Sequence, residues 1–257
     1  LGDAPTAADP DHYAATYAHC DLLIVGAGPA GIDAALGYMD TNKRIILVDE
    51  QDELGGGALA DPALWPWLER SHKALINAPN VTILTRTTAF GYYHDNFIGA
   101  VQRLTDNLPE LGDAPREKLW RIRAGEVVLA QGAIERPLVF DGNDTPGVML
   151  SSAARSFANR YGVAVGKAVV LMASHDSGWH DVFALAKDGV GIAAIIDVRE
   201  RVDSTLMHEA ERLGIAVHLN HSVMGVTGRH SVRAVQICNN GDYLGRRIDC
   251  DAVLMAG

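Results

Sequence analysis

Between Asp21 and Val25 the chain reads DLLIV, an apolar run without polar alternation that opens directly into glycines. A short uninterrupted run bounded by turn residues predicts a strand buried on both faces. Pro29 to Met39 then sets apolar residues at helical spacing and Ile45 to Val48 is apolar again, so this stretch predicts a βαβ unit. After Gly55-Gly56-Gly57 a helical pattern covers Trp67 to Ile76, with Pro62 and Pro66 where helices start. Strand patterns follow at Val81 to Leu84, Thr88 to Tyr93, Ile98 to Leu104 and Leu119 to Ile122. The middle two join across His94-Asp95-Asn96, and the group reads as an antiparallel insertion. Glu126 to Gly132, EVVLAQG, is a further buried strand ending on glycine.

The pattern then repeats. Ala168 to Met172, a helix from Trp179 to Lys187 and a strand from Ile192 to Ile196 make a second βαβ unit, followed by a helix near Ser204 to Leu213 and strands to the end. The closing DAVLMAG matches EVVLAQG in residue type, so one supersecondary plan used twice accounts for both halves. The fold class is therefore α/β: two Rossmann-like three-layer domains with an antiparallel β insertion. Residues 1–19, rich in Ala, Pro and Asp up to Asp11, read as a linker. Residues 20–140, with return segments from the C-terminal part, form the first domain, and residues 150–257 the second, degenerate one. The chain starts at Leu1 without methionine and stops on the repeated glycine, so it reads as an excised fragment.

Composition narrows the function. Hydrophobic residues make up 48% and charged residues 21% of the 257 positions, as in a folded protein with a packed core. A net charge of -10 opposes attraction to nucleic acid or anionic lipid, and no apolar run reaches the ~20 residues that span a bilayer. Cys20, Cys238 and Cys250 form neither a CxxC pair nor an even set, which fits a reducing cytoplasm rather than a disulfide framework or zinc site.

Candidate chemistry concentrates in one turn. Gly26, Gly28 and Gly31 have the spacing G-x-G-x-x-G, directly after a strand and before a helix. The first glycine permits a tight turn, the second lets backbone approach a pyrophosphate, and the third lets helix and strand pack closely. The helix N-terminus adds amide hydrogens and partial positive charge. Asp49 ends the next strand, where a carboxylate accepts hydrogen bonds from an adenosine ribose and repels a 2′-phosphate, favouring NAD or FAD over NADP. Glu50 would face the other way if the strand persisted. Gly55 to Gly57 read as a close pass beside the cofactor or a flexible loop, and Ala130-Gln131-Gly132 as a turn bordering it.

The second turn reads Ala173-Ser174-His175-Asp176-Ser177-Gly178, without spaced glycines and with a carboxylate where a phosphate would lie, so a second nucleotide site is disfavoured. His175 with His180 and His218 with His221 have no matching carboxylate cluster for a metal, and no G-x-S-x-G elbow occurs.

The segments DLLIVGAGPAGIDAA, RIILVDEQDELGG, RTTAFGYYHDN, VVLAQGAIERPLVFDGNDTPGVMLSSAARSFANRYGV and DAVLMAG together resemble the alpha subunit of heterotetrameric sarcosine oxidase from about His12 to Gly257. The first is shared by many flavoproteins. The GAIERPLVF, NDTPGVML and NRYGV block is more specific, and narrows the field to this subunit and related opine- and proline-type dehydrogenase alpha subunits. The resemblance implies domains of the FAD/NAD-linked reductase type with NAD in the first. It further implies beta, gamma and delta partner subunits, FAD on the beta subunit, FMN at the alpha-beta contact, and overall conversion of sarcosine, oxygen and tetrahydrofolate to glycine, hydrogen peroxide and methylenetetrahydrofolate. The family's folate domain and amino-terminal extension are not in this sequence, so the fragment alone is not expected to turn over sarcosine.

Carried over by position, Gly26, Gly28, Pro29, Ala30 and Gly31 line the pyrophosphate, Asp49 the ribose with Glu50 and Gln51 beside it, and Gly56 and Gly57 the loop beneath. Thr88 and Ala89 meet the adenine, and Ala130, Gln131 and Gly132 the far side. Gln131 departs from the threonine usual in that turn. No side-chain catalyst is expected in the chain. An FAD-dependent NAD(P)H oxidoreductase and a non-catalytic assembly module are the alternatives.

Overall fold

A computed structural model of the protein describes residues 6–9, 11–106, 114–241 and 245–257. They fall into two compact units, one running through Leu59 and over Ala63–Gly132, the other comprising Ala60–Pro62 and Ala133–Gly257.

In the first unit β1 (Tyr13–Val25), α1 (Pro29–Tyr38) and β2 (Ile45–Val48) form the expected βαβ, followed by α2 (Trp65–Asn77), β3 (Val81–Leu84), β4 (Thr87–Tyr93), β5 (Phe97–Arg103) and β6 (Glu117–Leu129). One six-stranded sheet holds them in the order β3-β2-β1-β6-β5-β4. β1 pairs in parallel with β2 and β6, while β5 is antiparallel to β6 and β4. Side chains leave β1 and β2 alternately to the two faces. Leu22, Ile24, Ile45 and Leu47 pack with Ile32 and Ala35 of α1 and Leu68 and Leu75 of α2. Leu23, Ile46 and Val48 pack with Ile98 and Ile122. Both faces are covered, which is why these strands read as unbroken apolar runs.

Two boundaries differ from the expectation. The strand begins at Tyr13, inside the segment assigned to a linker, because residues 13–19 alternate between exposed and half-buried positions and pair with Glu117–Arg123. Leu119–Ile122 and the EVVL segment are likewise one continuous strand, β6, rather than two. The register with β1 is the same on either side of Gly125, Cys20↔Ala124 and Leu22↔Glu126, and a Cβ at Gly125 would lie 2.9 Å from the carbonyl oxygen of Asp21. This glycine admits a neighbouring strand and does not break its own.

The second unit contains β7 (Val148–Leu150), α3 (Ser151–Tyr161), β8 (Ala168–Ala173), α4 (Asp176–Lys187), β9 (Gly191–Asp197), α5 (Ser204–Arg212), β10 (Val217–Leu219), β11 (His221–Thr227), β12 (Ala234–Asn239), β13 (Arg246–Asp249) and β14 (Ala252–Ala256). A parallel sheet runs β10-β9-β8-β14-β7, and β11-β12-β13 form an antiparallel one. Trp179, Val182 and Leu185 of α4 cover one face of the parallel sheet. Val223, Val235 and Ile237 cover the other. β14 lies beside β8 as β6 lies beside β1, so the echo of EVVLAQG in DAVLMAG marks equivalent positions. Among the described residues, none beyond Gly132 joins the first sheet, in contrast to the expected return segments: β14 is held between β8 and β7 instead. Helix α3 was not anticipated, since it buries only Ser151 and Ala154 and so leaves a weak apolar pattern.

Candidate dinucleotide site in the first unit

The carboxyl ends of β1, β2 and β6 bring three turns together. Gly26 donates its N–H to Val48 O at 2.8 Å, and Ala130 donates to Val25 O at 2.7 Å. Gly26 has φ +98°, and a Cβ on it would lie 2.3 Å from Ala130 O, so glycine is required twice over. At Gly31 a Cβ would lie 1.8 Å from Gly26 O, which fixes how closely α1 approaches the turn.

Gly28 differs from both. Nothing lies within 4 Å of the Cβ it would carry, and its φ of -70° suits any residue. The protein's own atoms do not explain a glycine here. Gly28 also caps α1, no side chain occupies that cap, and no acidic residue sits in the first turn, where Pro29 and Ala30 are exposed. The helix field at this end therefore favours an anion.

Gly55-Gly56-Gly57 is drawn to the same place. Gly55, at φ +134°, donates to Ala27 O at 2.7 Å, and Gly56, at φ +51°, would put a Cβ 3.1 Å from the Gly28 Cα. Around Gly57 the corresponding space is open. The loop is thus held against the Gly26–Gly31 turn.

Asp49 is half-buried and ties the turn together. Oδ2 accepts from Ala27 N at 2.5 Å and Oδ1 from Gln51 N at 2.8 Å. Two carboxylate oxygens offer about four acceptor sites, so capacity for ribose hydroxyls remains. β2 ends at Val48, so the strand alternation invoked to separate Asp49 from Glu50 does not extend to them. The Glu50 and Gln51 side chains are exposed, while their carbonyls accept from Arg103 Nη2 and Arg86 N, each at 2.8 Å. Thr87 N donates to Asp49 O at 2.7 Å and fastens the start of β4 beside the site. Thr88 is exposed and Ala89 half-buried.

Ala89 and Gln131 share a largely apolar cavity of about 290 Å³ with Val25, Tyr92, Ile98 and Leu129. Those last four escaped the sequence reading because strands β4 and β5 and the ends of β1 and β6 meet only in the folded sheet. Gly132 is exposed at φ +72°.

The second unit's turn is filled by its own charges. Asp176 at the start of α4 accepts from Arg199 Nη1 at 2.7 Å. Arg199 Nε and Nη2 clamp Asp197, which ends β9 as Asp49 follows β2, at 3.0 and 2.8 Å. Asp197 is fully buried and also accepts from Trp179 Nε1 at 2.8 Å. A carboxylate thus holds the phosphate position and an arginine the ribose carboxylate. Elsewhere, all three cysteines are free and buried, and burial pushes the Cys20 and Cys250 thiols up to about 11. Both are unreactive thiols at neutral pH. Among the described residues there is no group of three or more His, Cys, Asp or Glu fit for a metal, and no helix long and apolar enough to cross a membrane.

A sheet whose parallel strands carry helices on one face and continue into antiparallel strands, with a G-x-G-x-x-G turn at its carboxyl edge, defines a Rossmann-type nucleotide fold. The sequence matches the pyridine nucleotide-disulphide oxidoreductase family over residues 20–168, and the chain belongs to that family. Along its whole length it is similar to sarcosine oxidase subunit alpha of Rhizobium meliloti (strain 1021), with 41% identity over 100% of this chain and 26% of that protein. Against the same subunit of Corynebacterium sp. (strain P-1) identity is 38%, over 100% of this chain and 28% of that one. The chain therefore fits a fragment of such an alpha subunit and spans about a quarter of its length. Thioredoxin reductase of T. acidophilum shares the fold, with a TM-score of 0.68 at 16% identity over 93% of this chain and 76% of that one.

Proposed function

We propose that the first unit holds the ADP half of NAD within the alpha subunit of a sarcosine oxidase-type enzyme. The observation that carries this reading is Gly28. Gly26 and Gly31 are forced by contacts with the protein's own backbone, whereas Gly28 is bare where no protein atom needs it to be.

In this reading the backbone from Gly26 to Gly31, with Pro29 and Ala30 at the head of α1, faces the pyrophosphate, and Gly56 and Gly57 close the loop beside it. Asp49, already fixed by Ala27 and Gln51, accepts from the adenosine ribose. Its charge disfavours a 2′-phosphate. Glu50 and Gln51 flank the sugar. The purine enters the cavity between Ala89 and Gln131, beside Thr88 and Ala130, with Gly132 at its outer limit. NAD, when bound, supplies a nicotinamide that can carry a hydride; the residues named here bind and orient it, and none acts as acid or base.

The parent assembly, by similarity to the alpha subunits, would add beta, gamma and delta subunits with FAD and FMN, and would oxidise sarcosine with oxygen while passing the one-carbon unit to tetrahydrofolate. Mass spectrometry of small molecules released by denaturing the purified chain tests the assignment. NAD is the expected species; FAD would keep the site and replace the ligand, and absence of any adenine nucleotide after incubation with both would favour an assembly module.

A further inference from the structure

The AIERPLVF and SSAARSF segments take no part in the nucleotide site, yet their polar side chains converge within the second unit. Ser151, fully buried at the first residue of α3, holds Oγ 2.8 Å from Oε1 of Glu135 and 2.7 Å from Oδ2 of Asp181 in α4. Glu135 Oε2 in turn accepts from Ser152 N at 3.0 Å and Ser152 Oγ at 2.7 Å. Arg155 of α3 places Nε 3.2 Å from Asp181 Oδ1, close enough for an ion pair but out of hydrogen-bond alignment.

Counting protons decides what this cluster is. A hydroxyl has one hydrogen and donates once. Were both carboxyls ionised, one contact would set two lone pairs against each other with no proton between them. One carboxyl must therefore carry a hydrogen and donate it to Ser151 Oγ. Glu135 is engaged twice more, its Oε2 taking both Ser152 hydrogens at the start of α3. Asp181 is only 4% exposed. Burial pushes its carboxyl up most strongly and the Glu135 charge acts in the same sense, against the opposing pull of Ser151, Arg155 and His180. His180 is exposed; charged groups brought to α4 by other elements are Asp197 of β9, bound to Trp179, Arg199, bound to Asp176, and Glu209 of α5, paired with Lys187, while Leu171, Leu206 and Ala256 pack on it as apolar groups.

We infer that Asp181 is a neutral acid in the folded protein at neutral pH, donating through the Ser151 hydroxyl to Glu135. This shared hydrogen clasps the chain that leaves Gly132 onto the start of α3. A carboxyl whose value is raised on folding stabilises fully below its unfolded value, and the contribution is lost as pH rises through the folded one. The clasp therefore loosens toward alkaline pH.

Infrared spectroscopy of the 257-residue chain tests this. At neutral pH the spectrum should contain the carbonyl band of an undissociated acid. That band should shift when aspartate is ¹³C-labelled, stay put when glutamate is labelled, vanish in Asp181→Asn, and fade as pH is raised together with a fall in denaturation midpoint. The Asp181→Asn midpoint should not share that alkaline fall. A wild-type spectrum without the band at neutral pH, or a band that shifts with labelled glutamate, would overturn the inference. The isotope arm needs no mutant, so a poorly folding Asp181→Asn would leave the decision intact.

Discussion

The carbonyl oxygen of Gly26 lies 1.8 Å from the point where a Cβ on Gly31 would stand. The turn and the helix that follows it are therefore locked by backbone contact before any ligand is considered. Gly28, between them, is under no such constraint.

That contrast separates fold from binding. Gly31→Ala should cost about 1–3 kcal/mol or more, because the obstacle is main chain that cannot rotate aside. Gly28→Ala should change stability by about 1 kcal/mol or less, Gly28→Val should leave the fold largely intact, and both should lose the NAD-dependent rise in melting temperature. For the parent chain that rise corresponds to about 2.7 kcal/mol at 100 times the dissociation constant. Denaturation with and without NAD reads both effects, and retention of the ligand response in Gly28→Val would defeat the site assignment.

Asp49 holds the turn as well as facing the site. Asp49→Ala leaves the Ala27 and Gln51 amides without their acceptor, with an expected loss of about 1–3 kcal/mol and weaker NAD binding by calorimetry. Asp49→Asn keeps one oxygen for Ala27 and should fall between. Equal NAD affinity in all three proteins would remove Asp49 from the ribose site.

Arg199 neutralises a fully buried carboxylate. Arg199→Met should destabilise by about 3–5 kcal/mol, since it removes the ion partner of the fully buried Asp197. Arg199→Lys should rescue only part of this, because an ammonium cannot reproduce the two-point clamp. Chemical denaturation measures each cost. Nucleotide titration should find one ADP-type ligand per chain in the wild type; two would mean that the Asp176–Arg199–Asp197 bridge does not close the second turn.

Acid should weaken the first unit at Asp21. Hydrogen bonds from the Arg44 side chain and backbone hold its carboxyl down at about 2. A lowered value stabilises above the unfolded value of about 3.9 and the benefit disappears as pH falls through the folded one. Wild type should thus be more stable than Asp21→Asn at neutral pH, with the gap closing toward pH 2. A gap that stays constant across a pH series of denaturation midpoints would show that the pair contributes no titrating stability.

Much of this was legible in the chain itself. DLLIV, the glycine spacing and IILV specify a βαβ unit with a bare turn, because unbroken apolar runs need two covered faces and only glycine fits where backbone meets backbone. The duplication in EVVLAQG and DAVLMAG likewise announced two sheets of one plan. Tertiary structure alone decided that residues 13–19 are strand, that β6 runs on unbroken through Gly125, that Gly56 comes beside Gly28, and that Asp176 and Asp197 share Arg199. Each depends on which distant segment arrives alongside. Local periodicity records whether a residue is to be buried; it carries no record of the partner that buries it, and hydrogen bonds, ion pairs and close backbone crossings are properties of that partner.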